Sequence, residues 1–61
     1  MMDRGKTQVA EAYGYTLGGF MRMLKQIGVI DILRAHHGYK DTQHIFTHSQ
    51  LAVIISKIGE P

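Results

Sequence analysis

Glycines divide this sequence into short segments, and no other feature restricts the available folds as strongly. The segments end at Gly14, Gly28 and Gly59, and glycine readily adopts the left-handed backbone conformation in which many helices end. A chain of 61 residues has room for one small domain and not for two. We therefore predict a single domain over residues 1–61, built from short elements.

The first segment predicts a helix over residues 6–13. Val9, Ala10 and Tyr13 fall on one face of that helix. Gly14 follows at the position where a helix commonly ends in a left-handed residue.

The second segment predicts a helix over residues 16–27. Thr16 is a typical N-cap residue, and Tyr15 and Phe20 have the spacing of a hydrophobic staple. Two adjacent glycines, Gly18-Gly19, weaken the first turn, since each costs about 1 kcal/mol relative to alanine inside a helix.

The third segment, residues 29–42, is open to two interpretations. Its apolar start fits either a strand or a short helix, because the segment is too short for its length to decide. The stretch 36–46 then predicts a loop, with or without the form of a small wing.

The fourth segment predicts a helix over residues 48–58 and carries the strongest local signals. Thr47 and Gln50 have capping-box spacing, and Phe46 and Leu51 have staple spacing. The apolar stripe continues to Ile58, and Gly59 and Pro61 end the helix.

These segments predict an all-α domain of three to four helices. The chain has no cysteine, which excludes disulfide scaffolds and thiolate metal sites. So small a core is marginal, which favours a partner or a homodimer. The residues predicted to be buried are Val9, Ala10, Tyr13, Phe20, Leu24, Ile27, Phe46, Leu51, Ile54, Ile55 and Ile58.

The spacing around Gly14 is that of a helix-turn-helix. Such a motif needs a small residue in its first helix, and Ala10 stands there, four positions before the turn glycine. It also needs apolar residues on the inner face of the second helix, and Phe20 and Met23 supply them.

With these residues the chain resembles small DNA-binding proteins of the MerR-like and excisionase-like type. The first matching block reads VAEAYG from Val9, followed by Phe20, Arg22 and an IGV ending. The second block begins with Phe46-Thr47 and closes with the terminal IGEP. Together the blocks cover most of residues 6–61.

The resemblance implies that the protein binds double-stranded DNA, with helix 16–27 in the major groove. It would serve as a transcriptional regulator or a recombination accessory factor. The residues that would face the bases are Thr16, Leu17, Gly18, Met21 and Arg22, and those that would contact phosphates are Arg4, Lys6, Lys25 and Lys40.

The charge distribution agrees with this expectation. Residues 4–40 hold six lysines and arginines against two acidic residues, a net charge of +4, while the rest of the chain sums to −2. The basic part is therefore the part that would face DNA.

The sequence departs from the family pattern at Gly18-Gly19, where a polar or basic residue and a threonine are usual, and at Met23, which replaces a tryptophan. The alternative is a non-enzymatic protein–protein interaction or dimerisation module with a degenerate helix-turn-helix. Its contact would involve apolar residues of helix 48–58, including Val53.

Other functional classes find little support in the residues. No serine or carboxylate stands in a catalytic arrangement, so we expect no enzyme activity and no cofactor. Four histidines lie within residues 36–48, but no cysteine accompanies them and we predict no metal site. No apolar run has the length of a membrane span or signal peptide, so we expect a cytoplasmic protein.

Overall fold

In a computed structural model of this protein, glycines lie between or at the ends of the helices, as the sequence predicts. The structure describes residues 4–61, so the first three residues of the predicted domain lie outside it. The four helices are α1 Lys6–Ala12, α2 Leu17–Gln26, α3 Val29–His36 and α4 His48–Ile58. Residues 4–61 contain no β-strand, and the predicted all-α class is confirmed.

Helix α1 ends in the left-handed turn predicted at Gly14, whose φ is 79°. The Gly14 N–H donates to the Glu11 carbonyl and the Tyr15 N–H to the Ala10 carbonyl, each over 2.9 Å. These two hydrogen bonds satisfy carbonyls that a helix end otherwise leaves unpaired. Tyr13, predicted as the last helical residue, is the C-cap.

Helix α2 begins as the sequence predicts. The Thr16 hydroxyl oxygen accepts a hydrogen bond from the Gly19 N–H over 3.1 Å, which confirms the N-cap. The rings of Tyr15 and Phe20 lie 5.8 Å apart, in agreement with the staple. The helix ends at Ile27, its C-cap.

The segment with two interpretations forms a helix, α3. Gly28 precedes it directly with a φ of 82°, so one glycine both closes α2 and opens α3. Val29, Ile30 and Leu33 are fully buried. Their spacing places them on one helical face, and this burial holds the short helix in place.

Helix α4 confirms the predicted capping box. The Gln50 N–H donates to the Thr47 hydroxyl over 3.2 Å, and the Thr47 N–H donates to the Gln50 side-chain oxygen over 3.0 Å. The helix ends at Gly59, whose φ is 83°. Near this end the Tyr13 hydroxyl donates to the Gly59 carbonyl, which ties α1 to α4.

The core differs from the prediction in one residue that is exposed and in four further residues that are buried. Ile27 is wrong as a core residue, since it is 51% exposed, because α2 has already ended there and the chain turns away at Gly28. Four buried residues were not predicted: Val29, Ile30, Leu33 and Tyr39. The predicted residues that are buried are Val9, Ala10, Phe20, Leu24, Phe46, Leu51 and Ile54, whereas Tyr13, Ile55 and Ile58 are half-buried against the core.

The loop between α3 and α4, residues 37–47, is held by the fully buried side chain of Gln50. The Gln50 amide nitrogen donates to the His37 carbonyl over 2.8 Å. Its side-chain oxygen accepts from the Gln43 amide over 2.6 Å. An antiparallel bridge between Gly5 and Ile45 fastens the loop to the start of α1, so the wing-like loop is one bridged residue pair and not a strand pair.

Candidate functional site

The outer face of α2 is the part of the fold that carries most of the predicted site residues. Leu17, Gly18, Arg22 and Lys25 are exposed along it, as is the N-cap Thr16, and Met21 is half-buried against the core. Residues three and four apart on a helix are neighbours. Leu17, Met21 and Lys25 therefore form one row, and Gly18 and Arg22 lie beside it.

Neither cation of this face, Arg22 or Lys25, forms an ion pair within residues 4–61. Helix α2 contains no acidic residue, and the acidic group that acts on Lys25 electrostatically is Asp41 of the loop. The one ion pair in the described part of the chain joins Arg34 to Asp41. Two cations on the exposed face are therefore available to an anionic partner.

Beside α2 lies an open cleft of about 410 Å³. Its walls are the start of α1, residue Leu17 and the loop residues His44 and Ile45. Ile45 is 60% exposed although it is apolar. Leu17 is the residue of α2 that lines the cleft, so the cleft borders the first turn of this helix.

Lys6, a predicted phosphate contact, takes part in the fold. Its side chain is only 9% exposed. The ammonium nitrogen lies 3.3 Å from the Asp41 carbonyl oxygen and 4.8 Å from the centre of the Tyr39 ring. The Lys6 ammonium group thus stabilises the loop through Tyr39 and Asp41. Lys6 does not belong to the outer face of α2.

The other predicted phosphate contacts are not part of α2. Arg4 is exposed, and its carbonyl accepts a hydrogen bond of 2.8 Å from the Phe46 N–H. Lys40 is exposed in the loop. Arg4 precedes the bridged Gly5 directly, and Lys40 precedes Asp41 directly.

The loop also holds a carboxylate, Asp41. The Arg34 guanidinium, with its Nη2 2.6 Å from Asp41 Oδ1, keeps the pKa of this carboxyl below its ordinary value, and Lys25 and Lys6 add to the effect. Because both partners are well exposed, the pair contributes little to stability. Its main effect is to fix the loop against α3.

Sequence reasoning did not predict the polar network of Gln43 and Gln50 or the cleft beside Leu17. The sequence predicts Gln50 only as the capping-box partner of Thr47 at the start of α4. Its bonds to His37 and Gln43 depend on how the loop returns over α4. The cleft likewise exists only because residues 5 and 45 pair, and no local pattern signals that.

The histidines form no recognisable metal centre. Within residues 4–61, no group of three or more histidine, aspartate or glutamate side chains is placed to hold a metal ion. His44 lines the cleft, and His36 and His48 are exposed. In the same part of the chain, every helix is too short or too polar to cross a membrane.

Comparison of the chain with protein families, with curated proteins and with solved structures finds no match.

Proposed function

We propose that this protein binds double-stranded DNA and places the outer face of α2 in the major groove. The observation that carries the proposal is the character of this face: it is exposed, it holds Arg22 and Lys25, and it has no acidic residue or internal ion pair. A duplex presents a dense row of negative charge that such a surface attracts.

Helices α1 and α2 would act together as a helix-turn-helix. The turn at Gly14, the buried Ala10 and the stacked rings of Tyr13 and Phe20, 5.5 Å apart, support this role. So does the resemblance to MerR-like and excisionase-like proteins. The protein would then be a cytoplasmic regulator of transcription or an accessory factor in recombination.

Within this proposal Arg22 is the residue that reads a base. Among the five residues that would face the bases, Thr16, Leu17, Gly18, Met21 and Arg22, only Arg22 can donate two hydrogen bonds to guanine. Lys25, with Arg4 and Lys40 at the flanks, would contact phosphates, which position the protein without reading sequence.

The test is DNA binding by fluorescence anisotropy at about 50 and 200 mM salt, the range over which phosphate contacts weaken steeply. Arg22→Ala should weaken binding to a selected site by about 1–3 kcal/mol, and Lys25→Ala should mainly reduce the salt dependence by about one charge. Lys57→Ala, an exposed lysine on α4, is the matched control and should change neither. Equal affinity of wild type and Arg22→Ala for every duplex would contradict the assignment of α2.

The alternative is a protein–protein interaction module or homodimer. The exposed large apolar side chains outside the outer face of α2 are Tyr15, Ile27 and Ile45, of which the last two are the most exposed. Val53 on α4 is half-buried against the core. An interface would therefore use Ile27 and Ile45 rather than Val53. A folded protein that self-associates in sedimentation experiments, and that ignores DNA at low salt, would favour this alternative.

A further inference from the structure

The outer face of α2 has an apolar edge beside its cations. Leu17 is 38% exposed, and Met21, one turn further along, is half-buried. Of the other large apolar residues of α2, Phe20 and Leu24 are fully buried, and Met23 is half-buried against the core. Leu17 and Met21 therefore offer apolar surface to a ligand on the same side of the helix as Lys25.

Gly18 leaves free space beside this edge. A side-chain carbon placed there would meet no atom within 4 Å, so the helix surface between Leu17 and Arg22 is low and open. A flat surface can approach closely inside a groove, and the side chains on either side of Gly18 then reach its floor.

The floor of the DNA major groove presents one apolar group, the C5-methyl of thymine, and aliphatic side chains contact it. Guanine offers two acceptors to an arginine in the same groove. We propose that α2 reads thymine methyl groups with Leu17 and Met21 next to a guanine read by Arg22. This inference rests on the proposed DNA binding and names the kind of site that is bound.

Double-stranded DNA is the occupant that these observations favour. The charge of Arg22 and Lys25 complements a phosphate backbone, whereas no acidic group on α2 offers a contact to a basic partner. Double-stranded RNA fits poorly, because uracil lacks the methyl group and the deep groove of A-form RNA does not admit a helix.

The experiment replaces thymine by uracil. A duplex is enriched from a random pool on the wild-type protein and is then synthesised with thymine or with deoxyuridine at every thymine position. Base pairing and the O4 acceptor are unchanged, and only the methyl groups are removed. Affinity should fall about fourfold for each methyl contact that is lost, the effect of burying a methylene-sized group.

Variants then assign the contact to α2. Leu17→Ala, and separately Met21→Ala, should bind the thymine duplex less tightly and show a smaller difference between the two duplexes. Ile27→Ala is the matched control, because Ile27 is an exposed aliphatic residue at the end of α2 outside the proposed face, and it should keep the full difference. Thermal unfolding monitored by circular dichroism verifies that each variant is folded.

The outcomes separate this inference from the proposed function. Two outcomes overturn the methyl readout and leave DNA binding standing, provided that the protein still binds duplexes with an affinity that weakens with salt. In the first, no sequence is enriched, and in the second, the thymine and deoxyuridine duplexes bind equally. A methyl effect that persists in full in both α2 variants overturns the assignment to Leu17 and Met21. No binding by folded protein at about 50 mM salt overturns both proposals.

Discussion

Helices α2 and α4 begin with the same local pattern, but the fold uses the two beginnings differently. Each has an aromatic residue followed by a capping threonine, Tyr15-Thr16 in α2 and Phe46-Thr47 in α4. The third helical residue is Gly19 in α2 and Gln50 in α4. Gln50 completes a capping box, whereas Gly19 has no side chain with which to do so.

The difference between Gly19 and Gln50 accompanies a difference in burial between the first turns of α2 and α4. Phe46 and Gln50 are fully buried, and Gln50 binds the loop as well as its own cap. Tyr15 is 43% exposed, and in the first turn of α2 Gly18 is exposed and Gly19 is half-buried. Stability is therefore concentrated at the start of α4, and the start of α2 is left accessible for contacts.

The strongest way to break this contrast is to remove the side chain of Gln50. Gln50→Ala leaves the part-buried N–H of Thr47 and carbonyl of His37 without their partner and opens a cavity at a fully buried side chain. We expect the free energy of unfolding to fall by about 3 kcal/mol, measured by urea denaturation. Gln26→Ala, at the exposed end of α2, is the control and should have almost no effect. A loss no greater than that of the control would contradict the role of Gln50.

Removing each capping threonine sharpens the contrast. We expect Thr16→Ala and Thr47→Ala each to lower the free energy of unfolding by about 1 kcal/mol. Thr47→Ala should have the larger effect because the Thr47 hydroxyl accepts from the N–H of the buried Gln50 and also lies 3.3 Å from the Ser49 hydroxyl. The pair is compared by thermal unfolding, and a larger loss from Thr16→Ala would show that the two starts are ranked wrongly.

The smallest expected effect lies in the glycines of α2. Gly18→Ala should raise the free energy of unfolding by about 0.5 kcal/mol, since alanine favours the helix and nothing obstructs its methyl group. Gly19→Ala should gain less, because the new carbon would stand 3.1 Å from the Thr16 hydroxyl oxygen. Thermal unfolding of the two variants side by side measures the difference, and an equal gain from both would contradict it.

How far the sequence predicts this fold depends on how local each determinant is. The caps at Thr16 and Thr47 and the turn at Gly14 are set by neighbouring residues, and all three are confirmed. The class of residues 29–36 depends on which surface covers their apolar side chains, so the sequence left it open.

The candidate site follows the same rule. Exposure of Arg22 and Lys25 follows from the periodicity of α2, because polar residues opposite an apolar stripe face solvent. Lys6 is also a basic residue in a helix, like Arg22 and Lys25. It is nevertheless buried, because the loop places Tyr39 and Asp41 against its side chain. A local sequence pattern cannot predict such contacts, because they join residues more than thirty positions apart. DNA binding itself stays a prediction.

The bridge between Gly5 and Ile45 has a consequence for the route by which the chain folds. It joins positions 5 and 45, so the chain between them, which contains α1, α2 and α3, must close into a loop before this contact forms. Such distant contacts form slowly because chain entropy opposes them. The cleft beside Leu17 is made by the same contact. A nascent or partly unfolded chain can contain its helices and still lack this surface, which restricts any activity at the cleft to the fully folded protein.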